Sequence, residues 1–283
     1  QTVTDDIIKK VGWEGLKDCT MVFPMQRAGL FAKQCIREKM SREGISIPVV
    51  LPQMTTIDQL ADQFSPLRAD EEIRSVCQLY TCYKRYCQDA LDLDSFYGWG
   101  VQLLNDFSNA DMALLDMTAL MRNAADAAKL EELAIDKETQ ERLLALLGQT
   151  GEEDSIRKYY NQLWEAIPDI YREFTETQEK EGVGTRGART RKAIAYLESE
   201  EAAAPCQANK KYVFVGFNYL LAAERKLMEV LNAQYSTLFY WDNDPSFDLD
   251  EGVYQFIAED IKRFGNDYPT EDIETEEEKQ TFS

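Results

Sequence analysis

Short apolar runs bounded by turn-forming residues predict four β-strands. Each run is rich in β-branched or aromatic side chains, lacks regular polar alternation, and lies next to Gly, Pro, Asn or Asp. This pattern is typical of strands that are buried on both faces of a parallel sheet. The four predicted strands span residues 20–25, 47–52, 212–217 and 237–242.

Helical periodicity fills most of the chain between the second and third predicted strands. Apolar residues recur there with the i, i+3, i+4, i+7 spacing of a helix that buries one face. Helices are predicted at 70–90, 93–107, 129–147 and 154–178, with Pro168 inside the last, and a shorter helix at 186–199. Helices at 28–42 and 220–231 follow the first and third strands, which is the order of βαβ units.

These elements predict an α/β fold in which a parallel-sheet domain is interrupted by a large all-helical insertion. We expect the sheet domain to combine residues 1–65 and 205–266, and the insertion to span 66–204. Residues 267–283 are strongly acidic, and we expect them to form an acidic tail or the end of a fragment.

Composition excludes several classes of function. The 283 residues include 51 Asp and Glu, 31 Lys and Arg and no histidine, for a net charge of −20. Without histidine there is no Ser-His-Asp triad and no HExxH zinc site, and the negative charge argues against a free-standing binder of the DNA backbone. The six cysteines are sparse, so we expect buried or half-buried thiols rather than a disulfide framework or a metal site.

The hydrophobic content of 44% is sufficient for a large core, but it is not concentrated in long runs. No apolar run approaches the ~20 residues that a membrane span needs, and no secretory leader is visible. We therefore expect a cytoplasmic protein without membrane contact.

The segment Gly182-x-Gly184-x-x-Gly187 matches the glycine spacing of a dinucleotide-binding loop. Such a loop needs a strand before it and a helix after it, so that backbone N–H groups meet the pyrophosphate. Here the charged end of a predicted helix precedes the glycines, so we expect a flexible loop between helices. The sequence also lacks the Gly-x-x-x-x-Gly-Lys-Ser/Thr phosphate loop, and we expect no cofactor in this part of the protein.

The most compact basic cluster follows this glycine-rich segment. It consists of Arg186, Arg189, Arg191 and Lys192. Cations at the start of a helix oppose its dipole, so an external anion would stabilise them. The cluster is a candidate contact for DNA phosphates or for an acidic partner, and a solvated helix face is the alternative.

Two further patterns have both a functional and a structural interpretation. Asp242, Asp244, Asp248 and Asp250 lie at and after the end of the fourth predicted strand. Carboxylates at the carboxyl end of a parallel strand can bind Mg²⁺, but Asp residues there also form the turns that end strands. Trp99 lies between two glycines in a predicted helix, which favours close packing over a platform for stacked bases.

Four sequence blocks resemble one family in their order and spacing. The first, Val22-Phe-Pro-Met-Gln-Arg-Ala-Gly-Leu-Phe31, contains Pro24 and Arg27, and the second, Phe96-Tyr-Gly-Trp-Gly-x-x-Leu-Leu-x-Asp-Phe107, contains Trp99 and Asp106. The third contains Gly216, Phe217, Asn218 and Glu224, and the fourth contains Trp241 and Asp242. Together the blocks are similar to the N-terminal part of the AddB-like proteins of Bacteroidetes, a PD-(D/E)XK nuclease family whose front half is an inactivated superfamily I helicase.

The resemblance implies a RecA-like domain of the P-loop NTPase type, with the helical insertion in the place of helicase subdomain 1B. It also implies DNA end processing in recombinational repair of double-strand breaks. The implied partners are DNA and an AddA-like helicase–nuclease subunit, and the PD-(D/E)XK exonuclease domain is expected outside these residues.

The predicted strand 212–217 departs from the pattern of an active motor. It is followed by Asn218 and has no Asp or Glu at its tip for Mg²⁺, so we expect this part of the protein to be catalytically silent. Two alternatives stay open. One is an active ATP-dependent helicase whose P-loop lies upstream of Gln1, and the other is a helical protein-interaction module without a nucleic-acid role.

Overall fold

The computed structural model describes residues 2–87, 90–117, 119–120, 153–199, 210–241 and 254–268, with only the backbone described at 153–164 and 254–256. The chain divides into two units. The first consists of Gln1–Phe64 and Ile194–Ser283, and the second of Ser65–Ala193. The predicted domain boundary at 204 and the predicted helix 129–147 lie outside the described residues.

Strands and longer helices alternate at both ends of the described chain, and three described helices lie between its two shortest strands. In chain order they are α1 (Thr2–Gly15), β1 (Cys19–Phe23), α2 (Gln26–Arg42), β2 (Gln53–Thr56), α3 (Ile57–Phe64), β3 (Arg68–Ala69), α4 (Glu72–Tyr86), α5 (Leu93–Met112), α6 (Glu153–Glu181), β4 (Val183–Gly184), α7 (Arg186–Glu198), β5 (Lys211–Phe217), α8 (Ala222–Gln234), β6 (Ser236–Trp241) and α9 (Tyr254–Phe264).

A four-stranded sheet in the order β2-β1-β5-β6 organises the first unit, and all its strand pairs are parallel. Helices follow three of the four strands directly, because parallel neighbours must be joined by crossovers. The predicted α/β class with a parallel sheet is therefore confirmed.

The second strand does not lie where the apolar pattern placed it. The predicted run 47–52 is outside any strand, with Ile47 59% and Val50 65% exposed, and β2 begins one residue later at Gln53. Two prolines explain the difference. Pro48 and Pro52 have no N–H to donate to a strand ladder, so pairing starts only after the second of them.

Both faces of the sheet are covered within the first unit. On one face Ile7 and Ile8 of α1 and Ala32 and Ile36 of α2 join a single buried cluster with inward residues of β1, β5 and β6. On the other face, Phe239 stacks on the ring of Phe214 at 5.1 Å between centroids, and Phe264 of α9 stacks on Phe239 at 4.9 Å.

Residue 267 closes the outer side of β6, which is an edge strand. The Asp267 N–H donates to the Phe239 carbonyl at 2.7 Å, and its carboxylate accepts from the Phe239 N–H at 2.9 Å. Lys10 lies 3.3 Å from the other carboxylate oxygen. Asp267, which the sequence placed at the start of the acidic tail, is thus bonded to the sheet.

The second unit is mainly helical and has its own core. Buried residues of α4, α5 and α6 form one cluster that includes Leu79, Tyr83, Phe96, Phe107 and Phe174. A two-stranded parallel ribbon of β3 and β4 adds the only strands among the described residues of this unit.

The glycine-rich segment 182–187 belongs to this ribbon and to the helix that follows it. Gly182 has a φ of +69° and ends α6, Gly184 lies in β4, and Gly187 lies in the first turn of α7. The sequence predicted a flexible loop here. The structure instead has a paired strand, because Val183 and Gly184 are aligned with Arg68 and Ala69 of β3.

Candidate functional site

A cleft of the first unit lies at the carboxyl edge of β1 and β2. Both strands end at this edge, at Phe23 and Thr56, because they are parallel neighbours. The cleft has a volume of about 240 Å³ and is lined by Phe23, Gln26, Gly29, Leu30, Lys33, Met54, Thr55 and Gln59. In open α/β sheets this is the edge at which ligands bind.

Close approach of α2 to the sheet sets the width of the cleft. A Cβ placed on Gly29 would lie 3.4 Å from the Met54 Cβ and 3.5 Å from the Phe23 Cδ2. These are ordinary van der Waals contacts, so a methyl group would fit there, and it would occupy part of the cleft. The apolar floor of the cleft consists of Phe23, Gly29 and Met54.

A helix cap fixes the polar side of the cleft. The Thr56 hydroxyl accepts from the Gln59 N–H at 3.3 Å, and the Gln59 Oε1 accepts from the Thr56 N–H at 3.2 Å. This reciprocal pair is a capping box at the start of α3. The buried Thr55 hydroxyl lies 3.4 Å from the same Gln59 oxygen. Gln59 and Thr55 are consequently held in place before any ligand arrives.

The charge of the cleft comes from α2. This helix carries five cations and one glutamate, although the whole chain has a net charge of −20. Lys33 is half-buried in the cleft wall and Arg27 is exposed in the first turn of α2, and neither forms an ion pair within the described residues. The N-cap residue Met25 offers no side-chain hydrogen bond, so the positive end of the helix dipole also faces this edge.

The tip of β5 lies at the same edge of the sheet and contains no carboxylate. Gly216 has a φ of +76° and lies in a register shift between Val215 and Phe217, after which Asn218 is exposed. Glu224 is the nearest following acid in the sequence, but its Oε2 accepts from the Leu221 N–H at 2.9 Å and caps α8. Glu224 therefore has a structural role at the start of that helix.

The other residues of the family-like blocks have varied positions. Pro24 is exposed beside the cleft, whereas Trp241 is buried and donates from Nε1 to the Gly265 carbonyl at 2.7 Å. Asp242 lies outside the described residues, as do Asp244, Asp248 and Asp250.

In the second unit, Trp99 and Asp106 have ordinary structural surroundings. The Trp99 ring packs 5.2 Å from Phe96 and 5.8 Å from Tyr83, so it belongs to the helical core. Asp106 is exposed and accepts a hydrogen bond from Gln102 at 3.1 Å.

The basic cluster on α7 is engaged within the second unit. Arg191 lies 2.9 Å from the buried Asp111 carboxylate, and Lys192 lies 2.8 Å from Glu179. Arg189 donates to the Gly184 carbonyl at 3.0 Å, and Arg186 also interacts with another residue. Contact of these residues with DNA stays a prediction, but their charges already stabilise the fold.

Asp111 is the centre of this polar network. Burial raises the pKa of its carboxyl group, while the hydrogen bond from Tyr171 and the Arg191 charge oppose that shift. The Tyr171 hydroxyl donates to Asp111 at 2.7 Å, and burial together with this carboxylate raises the pKa of Tyr171. The network joins α5, α6 and α7, so its role is structural.

Sequence reasoning identified Arg27 but missed Lys33, Thr55 and Gln59. The available signal was the charge of α2, which stands out in an acidic chain.

Among the described residues, no group of three or more Cys, Asp or Glu side chains is placed to hold a metal ion. None of the helices in the described ranges is long and apolar enough to cross a membrane. No protein-family model matches the chain, and no curated protein matches its sequence.

Proposed function

We propose that this chain is the helicase-like domain of an AddB-type DNA end-processing nuclease, and that the domain serves as a scaffold without ATPase activity. The role proposed is recombinational repair of double-strand breaks in the cytoplasm. The four family-like sequence blocks suggest this function. Three of them contribute to β1, β5 and β6 and the residues that follow these strands.

The arrangement of the two units supports a RecA-like interpretation of the sheet. The second unit is inserted between α3 and β5, so the strands of one parallel sheet come from both sides of the insertion. We propose that the sheet corresponds to helicase subdomain 1A and the inserted helices to subdomain 1B. Fold alone would not decide the activity, which depends on the groups at the carboxyl edge.

The chemistry of that carboxyl edge carries the proposal. A phosphoryl-transfer motor needs a phosphate-binding loop and an acid for Mg²⁺ at the strand ends. Here only Pro24 and Met25 separate β1 from α2, β5 ends at Phe217 without an acid, and Glu224 is committed to a helix cap. The edge thus has the shape of a ligand-binding edge but lacks these two catalytic features in the described residues.

The proposed partners are DNA and an AddA-like helicase–nuclease subunit, which would supply the motor activity. In this arrangement the silent domain holds the partner and guides DNA, and a PD-(D/E)XK domain elsewhere in the full protein cuts it.

Calorimetric titration of Mg-ATP into the full-length protein tests the proposal. We expect no saturable heat up to millimolar concentration, and no ATP hydrolysis with or without single-stranded DNA. An active helicase subunit run in parallel is the positive control. Saturable binding together with DNA-stimulated hydrolysis would overturn the scaffold function and favour a motor with its P-loop upstream.

A protein-interaction module without a nucleic-acid role is the second candidate. The internal engagement of Arg191 and Lys192 favours it, because the cluster first expected to contact DNA is occupied within the fold. Absence of DNA binding by the full-length protein, alone and with its partner subunit, would support this alternative.

A further inference from the structure

The cations of α2 are distributed unevenly between internal ion pairs and solvent. Lys39 lies 2.9 Å from Asp5 and 3.6 Å from Glu43, and Arg42 also interacts with another residue. Arg27, Lys33 and Arg37, by contrast, form no ion pair with any described residue. Such unpaired charges are notable in a chain with 51 acidic and 31 basic residues.

Two of these cations, Lys33 and Arg37, lie on the row of α2 residues that lines the cleft and continues beyond it. Gln26, Leu30, Lys33 and Arg37 are spaced i, i+4, i+7 and i+11, which places them on one row of α2. The first three line the cleft, so Arg37 continues the row beyond it. Lys33 and Arg37 are separated by a rise of ~6 Å, which suits successive phosphates of an extended strand.

Large apolar side chains are exposed on the same end of the helix. Met25, Leu30 and Phe31 are 58%, 65% and 68% exposed. Phe31 lies one turn after Arg27, and Arg27 is an i, i+3 neighbour of Leu30, which belongs to the cleft-side row. An exposed aromatic ring beside unpaired cations is the combination that binds unpaired bases by stacking.

The cleft is too small to enclose a complete nucleotide chain, and its lining suits one ring. Its volume of about 240 Å³ is below the roughly 300–1,000 Å³ of pockets that enclose drug-sized ligands. The apolar floor at Phe23 and Met54, together with the Gln59 amide nitrogen that the α3 cap does not use, suits a flat heterocycle with polar edges. An acidic peptide would need the cations but would have no use for this combination.

We propose that single-stranded nucleic acid runs along the exposed face of α2 from its first turn to Arg37. Arg27, Lys33 and Arg37 contact phosphates, Phe31 stacks on one base, and the cleft receives the ring of another. The proposal rests on the proposed function, because it names the site at which the scaffold holds a DNA strand. The nucleic-acid contact then lies on α2 rather than on the basic cluster of α7.

Fluorescence anisotropy with a labelled 20-nucleotide oligo-dT tests the site in the full chain. The wild type is expected to bind it more tightly than a 20-base-pair duplex of the same length. Lys33→Ala/Arg37→Ala should lower the slope of log affinity against log salt by about 1.4, because each lost phosphate contact on a single strand contributes about 0.7. Phe31→Ala should weaken binding at least about fivefold with the slope unchanged.

The matched control is Lys9→Ala/Lys262→Ala, which removes two exposed cations of the same unit that also lack ion pairs among the described residues. If this control lowers affinity and slope as much as Lys33→Ala/Arg37→Ala, the α2 site is wrong. Poly-L-glutamate that displaces the oligonucleotide at equal charge concentration would indicate an acidic protein partner and overturn the proposal. Absence of oligo-dT binding at low salt also overturns it. Binding of the duplex under the same conditions would then leave the proposed role in DNA processing standing, and the ATP titration separately tests the absence of ATPase activity.

Discussion

Replacing Gly187 by alanine tests the packing of α7 against α5. The new Cβ would lie 2.2 Å from the Ser108 carbonyl oxygen and 2.5 Å from the Asp111 Cβ, whereas real Cβ contacts stay above 3.0 Å. The helices must therefore separate by at least 0.8 Å at this point. Neither contact atom is the far end of a flexible side chain, so the strain cannot be relieved by a rotamer change.

The magnitude follows from what the separation disturbs. Overpacking of a buried contact costs roughly 1–3 kcal/mol. The shift also lengthens the hydrogen bond from the Gly187 N–H to the Ser108 hydroxyl, now 3.1 Å, and the 2.9 Å ion pair between Arg191 and Asp111. Weakening these adds about 1 kcal/mol. We expect a total loss of about 2–4 kcal/mol and a fall in Tm of about 8–15 °C for the second unit.

Gly98→Ala is the matched control, because it makes the same chemical change in the same unit. No atom lies within 4 Å of a Cβ at Gly98, and the residue is helical. We expect this variant to be more stable by up to ~1 kcal/mol. Urea unfolding followed by hydrogen exchange in peptides of residues 65–120 measures both variants. Equal stability of the two variants would refute the close approach of α5 and α7.

Three further predictions concern buried ionisable groups. Burial raises the pKa of Asp111, so the contribution of this residue to the free energy of unfolding is greatest at low pH. The contribution is lost as the pH rises above the ordinary carboxyl pKa of ~3.9. Urea unfolding from pH 4 to 7 should show this loss in the wild type but not in Asp111→Asn. Arg225 pairs through two nitrogens with Asp260, which is 1% exposed, at 2.6 and 3.1 Å. Arg225→Met should cost about 3–5 kcal/mol, and adding Asp260→Leu should restore most of it in a double-mutant cycle; an unchanged unfolding midpoint in the single variant would contradict the buried charge. Burial raises the pKa of Cys82 to about 11, so iodoacetamide at pH 8 should label exposed Cys77 readily and Cys82 only in denaturant, as mass spectrometry of the peptides would show.

The sequence predicted β1, β5 and β6 well because each is a run of mainly apolar residues. β1 is buried throughout, β5 is mostly buried and β6 is buried in its second half, as expected of parallel strands covered on both faces. β2 lies at the edge, where Gln53–Thr56 are mostly polar, and its pairing depends on N–H groups that the neighbouring prolines lack. The hydropathy pattern favoured the wrong run because it does not show which residues lack a backbone N–H group for strand pairing.

The candidate site was harder to predict because its parts come from separate elements. Lys33 and Gln59 are 26 positions apart and meet only because β1 and β2 are neighbours. Pairing of charges is equally invisible in a sequence. Arg191 and Asp111 are 80 positions apart, and their contact engages the most evident basic cluster in an ion pair within the second unit.

The contact of Asp267 with β6 has a consequence for how the protein behaves in concentrated solution. An open strand edge is a template for pairing with another molecule, which leads to aggregation. Here one residue occupies both the N–H and the carbonyl of Phe239, in the middle of that edge. Any chain that pairs with β6 at Phe239 must first displace Asp267, so this contact covers the middle of one of the two edges of the described sheet.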